Sequence, residues 1–329
     1  MGQYGVRIVG TGSYAPPKVL TNHDLEEMVD TSDEWILART GIKTRHIAAD
    51  DQPTSSLAYE ASLKALEAAG MAPDDIDLII VATSSPDCIF PNTGCFLQRK
   101  LGATNAACFS LEAACSGFVY GFQVASGMLQ SGMFENALLV GAEKFSTLLD
   151  WTDRTTCILF GDGAGAAVLR RVPSDDNGLL ACKLGANGEF AELLGVPAGG
   201  TAMPLTHERL DQRLNCLQMK GREVFRLAVN AMVESCESVM ADAGISIDQV
   251  RWLVPHQANT RIILGVGKRL GIPTERVFMN LDRYGNTSAA TIPIALDEIA
   301  RGELVSKDDY VLLTAFGGGL TWGALLLRW

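Results

Sequence analysis

The chain has 329 residues and a formal net charge of −11, with 47 % hydrophobic and 20 % charged side chains. That balance fits a folded globular protein of about two domains, excludes a disordered chain, and argues against a nucleic-acid binder. The apolar runs are too short to insert in a membrane, the amino terminus lacks a signal-peptide pattern, and the eight cysteines contain no Cys-x-x-Cys pair, so the expectation is a reduced, cytoplasmic protein without a metal site.

In chain order, Val6-Arg7-Ile8-Val9 reads as a first strand. Gly10-Thr11-Gly12-Ser13-Tyr14-Ala15 then matches a dinucleotide-binding pattern, but Pro16-Pro17 stands where the phosphate-binding helix would begin, and a Rossmann site is rejected. Thr31-Ser32-Asp33-Glu34 reads as a capping box opening a short helix with Trp35 and Arg39 that stops at Gly41. Residues 54–69 form an Ala-rich helix ending at Gly70, and Asp74-Asp75-Ile76-Asp77 leads into a buried strand over 78–83.

Residues 106–111 read as a short buried strand and residues 117–129 as a helix buried on every face. Cys115 stands at the joint between them. A thiol at a helix start feels the positive end of the helix dipole, which favours thiolate, and the free N–H groups there can hold an oxyanion. On this stretch alone, nucleophile and inert core thiol are equally good readings.

Three segments recur in the same order. Asp74 maps to Asp248 at an offset of 174, so that the strand over 78–83 matches Trp252-Leu253-Val254-Pro255-His256, preceded by a helix over 222–243. The segment around Cys115 maps to residues 277–289, with Cys115 opposite Asn286 at an offset of 171. Phe160-Gly161-Asp162-Gly163-Ala164-Gly165 echoes Phe316-Gly317-Gly318-Gly319-Leu320-Thr321. Together they predict a duplicated α/β fold with halves near 1–172 and 173–329. A lone histidine at a strand end is more often a bonded core residue than a catalyst. Here Cys115, His256 and Asn286 occupy corresponding loops of a duplicated fold, which favours a joint site. Arg251, Arg261, Lys268, Arg269, Arg276 and Arg283 outnumber Glu275 and Asp282 over 250–283, and Arg213, Lys220, Arg222 and Arg226 add to this basic character. An anionic partner would fit such a patch, although charge alone favours a solvated face.

Ala113-Ala114-Cys115-Ser116-Gly117, His256-Gln257-Ala258-Asn259, Gly285-Asn286-Thr287-Ser288 and Phe316-Gly317-Gly318-Gly319-Leu320-Thr321-Trp322-Gly323 closely resemble the β-ketoacyl-acyl-carrier-protein synthase III family of the thiolase-like superfamily. The resemblance covers the whole chain. It implies two similar halves layered αβαβα about a pseudo-twofold axis. It also implies a decarboxylative condensation of a short acyl-CoA, acetyl-CoA first among them, with malonyl-acyl-carrier protein, which starts type II fatty acid synthesis without a cofactor. Cys115 would carry the acyl group, the N–H groups of Cys115 and Gly318 would form the oxyanion hole, and His256 and Asn286 would donate to the malonyl thioester carbonyl. Trp35 and Arg154 resemble the pair that sandwiches the CoA adenine, and Arg39, Gly221 and Asn259 match positions along the pantetheine and phosphate path. Arg222, Arg226, Arg261, Lys268 and Arg269 are expected to receive the acidic carrier protein. The family is a homodimer in which a residue matching Phe90 caps the partner's acyl pocket. Cys88 and Cys95 flank that region and read as core or loop filling. The alternatives are a condensing enzyme or acyltransferase of secondary metabolism acting on another acyl or aroyl group, and a non-catalytic acyl-CoA or carrier-protein binding module.

Overall fold

The computed structural model describes residues 4–329. One sheet is built from β1 (Tyr4–Tyr14), β4 (Leu78–Ala82), β5 (Ala107–Leu111), β6 (Asn136–Lys144) and β7 (Asp162–Pro173), in the order β1-β7-β6-β4-β5. A second is built from β8 (Leu179–Ala186), β11 (Val250–Pro255), β12 (Tyr310–Gly317) and β13 (Thr321–Arg328), in the order β8-β13-β12-β11. Two small ribbons pair β2 (Lys18–Thr21) with β3 (Thr44–Ile47), and β9 (Leu194–Gly195) with β10 (Gln218–Met219).

Alternation along the strands decides the layering. In β4 and β6, Leu78, Ile80, Ala137 and Leu139 face one core, while Ile79, Val81, Leu138 and Val140 face another. Strands buried on both faces read as unbroken apolar runs, as these do. The outer core is closed by α3 (Thr54–Ala69) and α4 (Thr93–Leu101). The inner one is filled by α5 (Gly117–Gln130) and α10 (Thr291–Arg301), which lie between the two sheets. On the far face of the second sheet lie α7 (Gly221–Ala243) and α8 (Thr260–Leu270). The result is the five-layered αβαβα arrangement expected. The short helices α1 (Asn22–Glu26), α2 (Asp33–Thr40), α6 (His207–Asp211) and α9 (Leu281–Tyr284) sit in the connections.

The two sheets repeat one another in strand sense. β1 runs antiparallel to β7, β7 to β6, and β6 is parallel to β4. Likewise β8 runs antiparallel to β13, β13 to β12, and β12 is parallel to β11. A parallel bridge from Leu253 to Val277 stands where β4 pairs with β5 in the first sheet.

Several expectations need adjustment. The Gly10-Thr11-Gly12 stretch is a continuation of β1, and its glycines serve packing: a Cβ on Gly10 would collide with the Ala65 carbonyl oxygen, and one on Gly12 with that of Ala61. The helix α3 therefore lies directly on the strand. The strand β5 is half-exposed, because it is the sheet edge and pairs only with β4. In α2 the cap is Ser32, whose hydroxyl accepts from the Trp35 N–H at 3.2 Å, and Gly41 ends the helix at φ +81°. The register of the repeat also moves. A 3-10 turn over Ala114–Ser116 precedes α5 and one over Ser288–Ala290 precedes α10. The left-handed residues in these turns are Ala114 (φ +46°) and Ser288 (φ +49°), so the offset here is 174, as for Asp74 and Asp248. The counterpart of Cys115 is Ala289, and Asn286 answers to Glu112.

Candidate active site

Cys115, His256, Asn286 and Gly318 line one cavity of about 520 Å³, together with Asn259 and Gly221. Cys115 reaches it from the turn before α5, His256 from the residue after β11, Asn286 from the segment after α9, and Gly318 from the hairpin between β12 and β13. The hairpin packs on the backbone of Cys115: a Cβ on Gly317 would stand 2.6 Å from the Cys115 nitrogen. Residue 317 must therefore be glycine for the two backbone segments to meet.

Cys115 is only 7 % exposed, and burial pushes its thiol up to about 12. Glu143 and Glu112 add to the rise, while Ser288 opposes it. A helix dipole contributes at most about 2 kcal/mol, or roughly 1.5 pKa units, which does not overcome that desolvation. Burial therefore favours the neutral thiol at Cys115, contrary to the thiolate expected from the helix start.

His256 is anchored by its N–H, which donates to the Thr314 carbonyl at 2.8 Å, and its Nδ1 lies 2.7 Å from the Thr291 hydroxyl. Burial drives the ring down to about 3, so it is uncharged. The Thr291 hydroxyl is also 2.9 Å from the Ser288 carbonyl. Its single proton can serve only one of these acceptors. Donating to Ser288, it makes Nδ1 the protonated nitrogen and leaves Nε2 a lone pair; donating to Nδ1, it leaves the ring proton on Nε2.

Asn286 is held on both sides by the first half of the chain. Its N–H donates to the Leu159 carbonyl at 2.8 Å, and its own carbonyl accepts from Gly161 at 3.1 Å. The side-chain Oδ1 accepts from the Ser288 N–H at 2.8 Å, which fixes the amide and leaves the Nδ2 hydrogens as its free donors.

Beneath these groups sits Glu143, fully buried on the inner face of β6. Its carboxylate accepts from the Ser84 N–H, the Ser85 N–H and hydroxyl, and the Thr83 hydroxyl. Burial nevertheless raises it from 4.5 to about 7. Because the folded value lies above the unfolded one, its stabilising contribution is complete below about 4.5 and is lost as pH rises through about 7. Measured against Glu143→Gln by chemical denaturation, the wild-type protein should lose about 3 kcal/mol between pH 4.5 and 8. No sequence periodicity marks this residue; only the fold brings it under the cysteine.

Of the expected CoA contacts, Gly221 and Asn259 line the cavity, whereas Trp35, Arg39 and Arg154 lie outside it. Trp35 is stacked by the guanidinium groups of Arg154, 5.2 Å from its ring centre, and of Arg39, 5.3 Å away. Arg154 is also tied to the Asp30 carbonyl at 2.6 Å. A ring needs roughly 3.5 Å on each face to intercalate, so the expected adenine sandwich does not fit between Trp35 and Arg154 as they stand. The Asn259 side chain caps α8 by accepting from the Arg261 N–H at 2.8 Å, and donates to the Arg39 carbonyl at 3.1 Å. Gly221 has open space beyond its Cα: a Cβ there would meet only the Met219 terminal carbon, at 3.7 Å.

Of the basic residues, Arg222, Arg226, Lys268 and Arg269 are exposed on α7 and α8, and Arg269 bonds to Asn230. Arg261 is exposed too, but its guanidinium donates to the Ala38 carbonyl at 2.8 Å. Arg276 and Arg283 serve internal contacts, the latter with Glu298 at 2.7 Å. Phe90, 85 % exposed, lies outside the cavity, on the loop between β4 and α4. Cys88 is exposed on the same loop, and Cys95 is half-buried with its sulfur 3.6 Å from that of Cys108. Among the described residues, no group of His, Cys, Asp and Glu is arranged to hold a metal, and no helix is long and apolar enough to cross a membrane.

A buried cysteine, histidine and asparagine converging from two topologically repeated sheets define a thiolase-like condensing enzyme. Residues 109–188 match the family model of 3-oxoacyl-[acyl-carrier-protein] synthase III, and residues 240–329 match the model of its C-terminal part. The chain is 52 % identical over 324 residues to β-ketoacyl-[acyl-carrier-protein] synthase III of Desulfitobacterium hafniense, covering 98 % of each chain. It superimposes on the crystal structure of 3-oxoacyl-[acyl-carrier-protein] synthase III from Aquifex aeolicus with a TM-score of 0.91 and 46 % identity, covering 99 % of this chain and 100 % of that one. The priming β-ketosynthase of the R1128 polyketide pathway superimposes with the same TM-score of 0.91 at 34 % identity, covering 99 % of this chain and 96 % of that one. The chain belongs to the β-ketoacyl-acyl-carrier-protein synthase III family and is an acyltransferase-type condensing enzyme.

Proposed function

We propose that this enzyme starts fatty acid synthesis by condensing a short acyl-CoA, acetyl-CoA first among them, with malonyl-acyl-carrier protein in a ping-pong cycle in the cytoplasm. The single observation that supports this best is the convergence of Cys115, His256, Asn286 and Gly318 on one cavity. The Cys115 sulfur attacks the acyl-CoA carbonyl, and the tetrahedral oxyanion takes hydrogen bonds from the Cys115 and Gly318 N–H groups. CoA leaves. Malonyl-acyl-carrier protein then binds with its thioester carbonyl against Asn286 Nδ2 and His256 Nε2, the latter in the tautomer that the Thr291 hydroxyl stabilises by turning to Nδ1. Loss of CO₂ leaves an enolate held by these donors, which attacks the acyl carbon on Cys115. The thioesters supply all the chemistry, with no metal or redox cofactor.

In this reading residues 1–172 and 173–329 are two duplicated halves, the first supplying Cys115 and the second His256 and Asn286. Arg39, Gly221 and Asn259 border the pantetheine path. Arg222, Arg226, Arg261, Lys268 and Arg269 receive the carrier protein. The exposed Phe90 caps the acyl pocket of a second copy in a homodimer. Trp35 and Arg154 clasp the adenine. Trp35→Ala is therefore expected to raise KM for acyl-CoA about tenfold with kcat within about twofold, because an adenine stack contributes equally to ground and transition states.

The likeness to a priming ketosynthase of a polyketide pathway favours a second reading, in which the starter serves secondary metabolism. Intact-protein mass spectrometry with a panel of acyl-CoAs, followed by a chase with malonyl-acyl-carrier protein, tests both. Loading by acetyl-CoA and conversion to a 3-ketoacyl product supports the first reading. Selective loading by a longer, branched or aromatic acyl group supports the second, and the absence of any adduct removes both.

A further inference from the structure

Two side chains tie the segment that presents Cys115 to the hairpin that presents Gly318. The Thr321 hydroxyl, at the start of β13, lies 2.9 Å from the Ala113 carbonyl and 3.1 Å from the Gly318 carbonyl, so its one proton is shared between them. In return the fully buried Ser116 hydroxyl donates to the Thr321 carbonyl at 3.0 Å. Each segment thus reaches across to the other's backbone. On one side the bonded residues, Ala113 and Ser116, bracket Cys115 in the chain; on the other they are Thr321 and Gly318 itself. Neither the Cys115 N–H nor the Gly318 N–H has a backbone partner among the described residues, and both residues line the cavity. Two unspent donors beside a cavity are what a developing oxyanion requires.

We propose that Thr321 and Ser116 form a clamp that holds the Cys115 and Gly318 N–H groups at the separation one oxyanion needs, which makes Thr321 a positioning residue for both half-reactions. The inference rests on the reading that these two N–H groups form the oxyanion hole. That hole is used twice: once when the Cys115 sulfur attacks the acyl-CoA carbonyl, and again when the enolate attacks the acyl carbon on Cys115. His256 and Asn286 serve only the second event, so the clamp has a kinetic signature of its own.

Packing brings the two segments together without fixing the direction of their donors. The Ala114 side chain lies against both glycines: a Cβ on Gly317 would stand 3.1 Å from the Ala114 Cβ, and one on Gly318 3.6 Å from it. Such contacts tolerate sliding, whereas a hydrogen bond weakens steeply as its angle closes. Threonine suits the place. Its methyl is turned into the hairpin, where a Cβ on Gly319 would stand 3.0 Å from Cγ2, and a β-branched side chain has few alternatives at χ1. The hydroxyl is thereby kept on Ala113. Between Ala113 and Cys115, Ala114 takes the left-handed conformation at φ +46°, which a residue with a Cβ disfavours. The turn is held in that shape from two sides, by Thr321 on the Ala113 carbonyl and by the Glu112 carboxylate, which accepts from the Ala114 N–H at 2.8 Å.

The test is Thr321→Val in the full-length enzyme, which keeps the side-chain shape and removes the hydroxyl. Single-turnover acylation by acetyl-CoA, and condensation of the pre-acylated enzyme with malonyl-acyl-carrier protein, should each slow about tenfold, with KM for acetyl-CoA within about twofold. Infrared spectra of enzyme loaded from carbonyl-labelled acetyl-CoA give a readout that a mere loss of stability would not move. The wild-type acyl carbonyl stretch should lie below that of the same acyl-enzyme unfolded in guanidinium, and Thr321→Val should shift it upward. Thr321→Ser, which keeps the hydroxyl, should recover most of both rates and the wild-type frequency. Ser116→Ala should repeat the double slowing and the upward shift, and it carries the test if Thr321→Val does not fold. Slowing confined to one step, an unmoved carbonyl frequency, or a Thr321→Ser as slow as Thr321→Val would each overturn the clamp. A wild-type carbonyl stretch no lower than in the unfolded acyl-enzyme would instead overturn the oxyanion hole itself, so the two failures are distinguishable.

Discussion

Cys115→Ala should gain no mass on incubation with any acyl-CoA, and turnover should fall by roughly 10⁴-fold or more. The expectation follows from covalent catalysis: without the sulfur there is nothing to hold the acyl group between the two half-reactions, and the neighbouring oxyanion donors have no intermediate to stabilise. The substitution removes one buried atom beside small neighbours, so folding stability should change by about 1 kcal/mol or less. Thermal melts and intact mass on the same sample separate loss of chemistry from loss of fold. An adduct that survives at full stoichiometry would place the acyl carrier elsewhere, and the other cysteines could then be found by peptide mapping.

His256→Ala and Asn286→Ala should divide the reaction. Each should load acetyl from acetyl-CoA within about threefold of the wild-type rate, yet condense with malonyl-acyl-carrier protein roughly 10²–10³-fold more slowly, the usual consequence of deleting one donor to a developing oxyanion. The reason lies in the geometry. Asn286 has its amide oxygen committed to the Ser288 N–H, so only its donors remain, and the uncharged His256 is a poor base but a competent donor in the right tautomer. Release of CO₂ from labelled malonyl-acyl-carrier protein by the pre-acylated variants is the direct measurement. Equal slowing of both steps would mean that these residues shape the nucleophile rather than the enolate.

Much of this is legible in the chain because local signals and global fold agree. The terminators Gly41, Gly70 and Gly244 take left-handed conformations at the helix stops the sequence predicts, and the doubly buried strands show as unbroken apolar runs. The repeat is visible because glycine-rich turns leave a strong imprint. Its register at Cys115 comes out three residues off from sequence, since a left-handed Ala114 or Ser288 carries no compositional mark of its conformation. The strand before Cys115 reads as buried although it is not, because apolar sequence does not tell an edge strand from a central one. The raised thiol, the closed Trp35–Arg154 stack and the carboxylate of Glu143 are invisible for a different reason. They arise from contacts between residues far apart in sequence, as Glu143 meets Ser84 and Asn286 bridges to Phe160.

Because a single residue, Ser288, holds the Asn286 amide through its N–H and the Thr291 hydroxyl beside His256 through its carbonyl, the contributions of Asn286 and His256 are not separable quantities. A double-mutant cycle between Asn286 and His256 should show a coupling well above the few tenths of a kcal/mol found for independent sites, although the two residues do not bond to one another. A ranking of these residues by single substitutions would count the shared backbone turn several times over. The unit that sets both side chains is the turn itself.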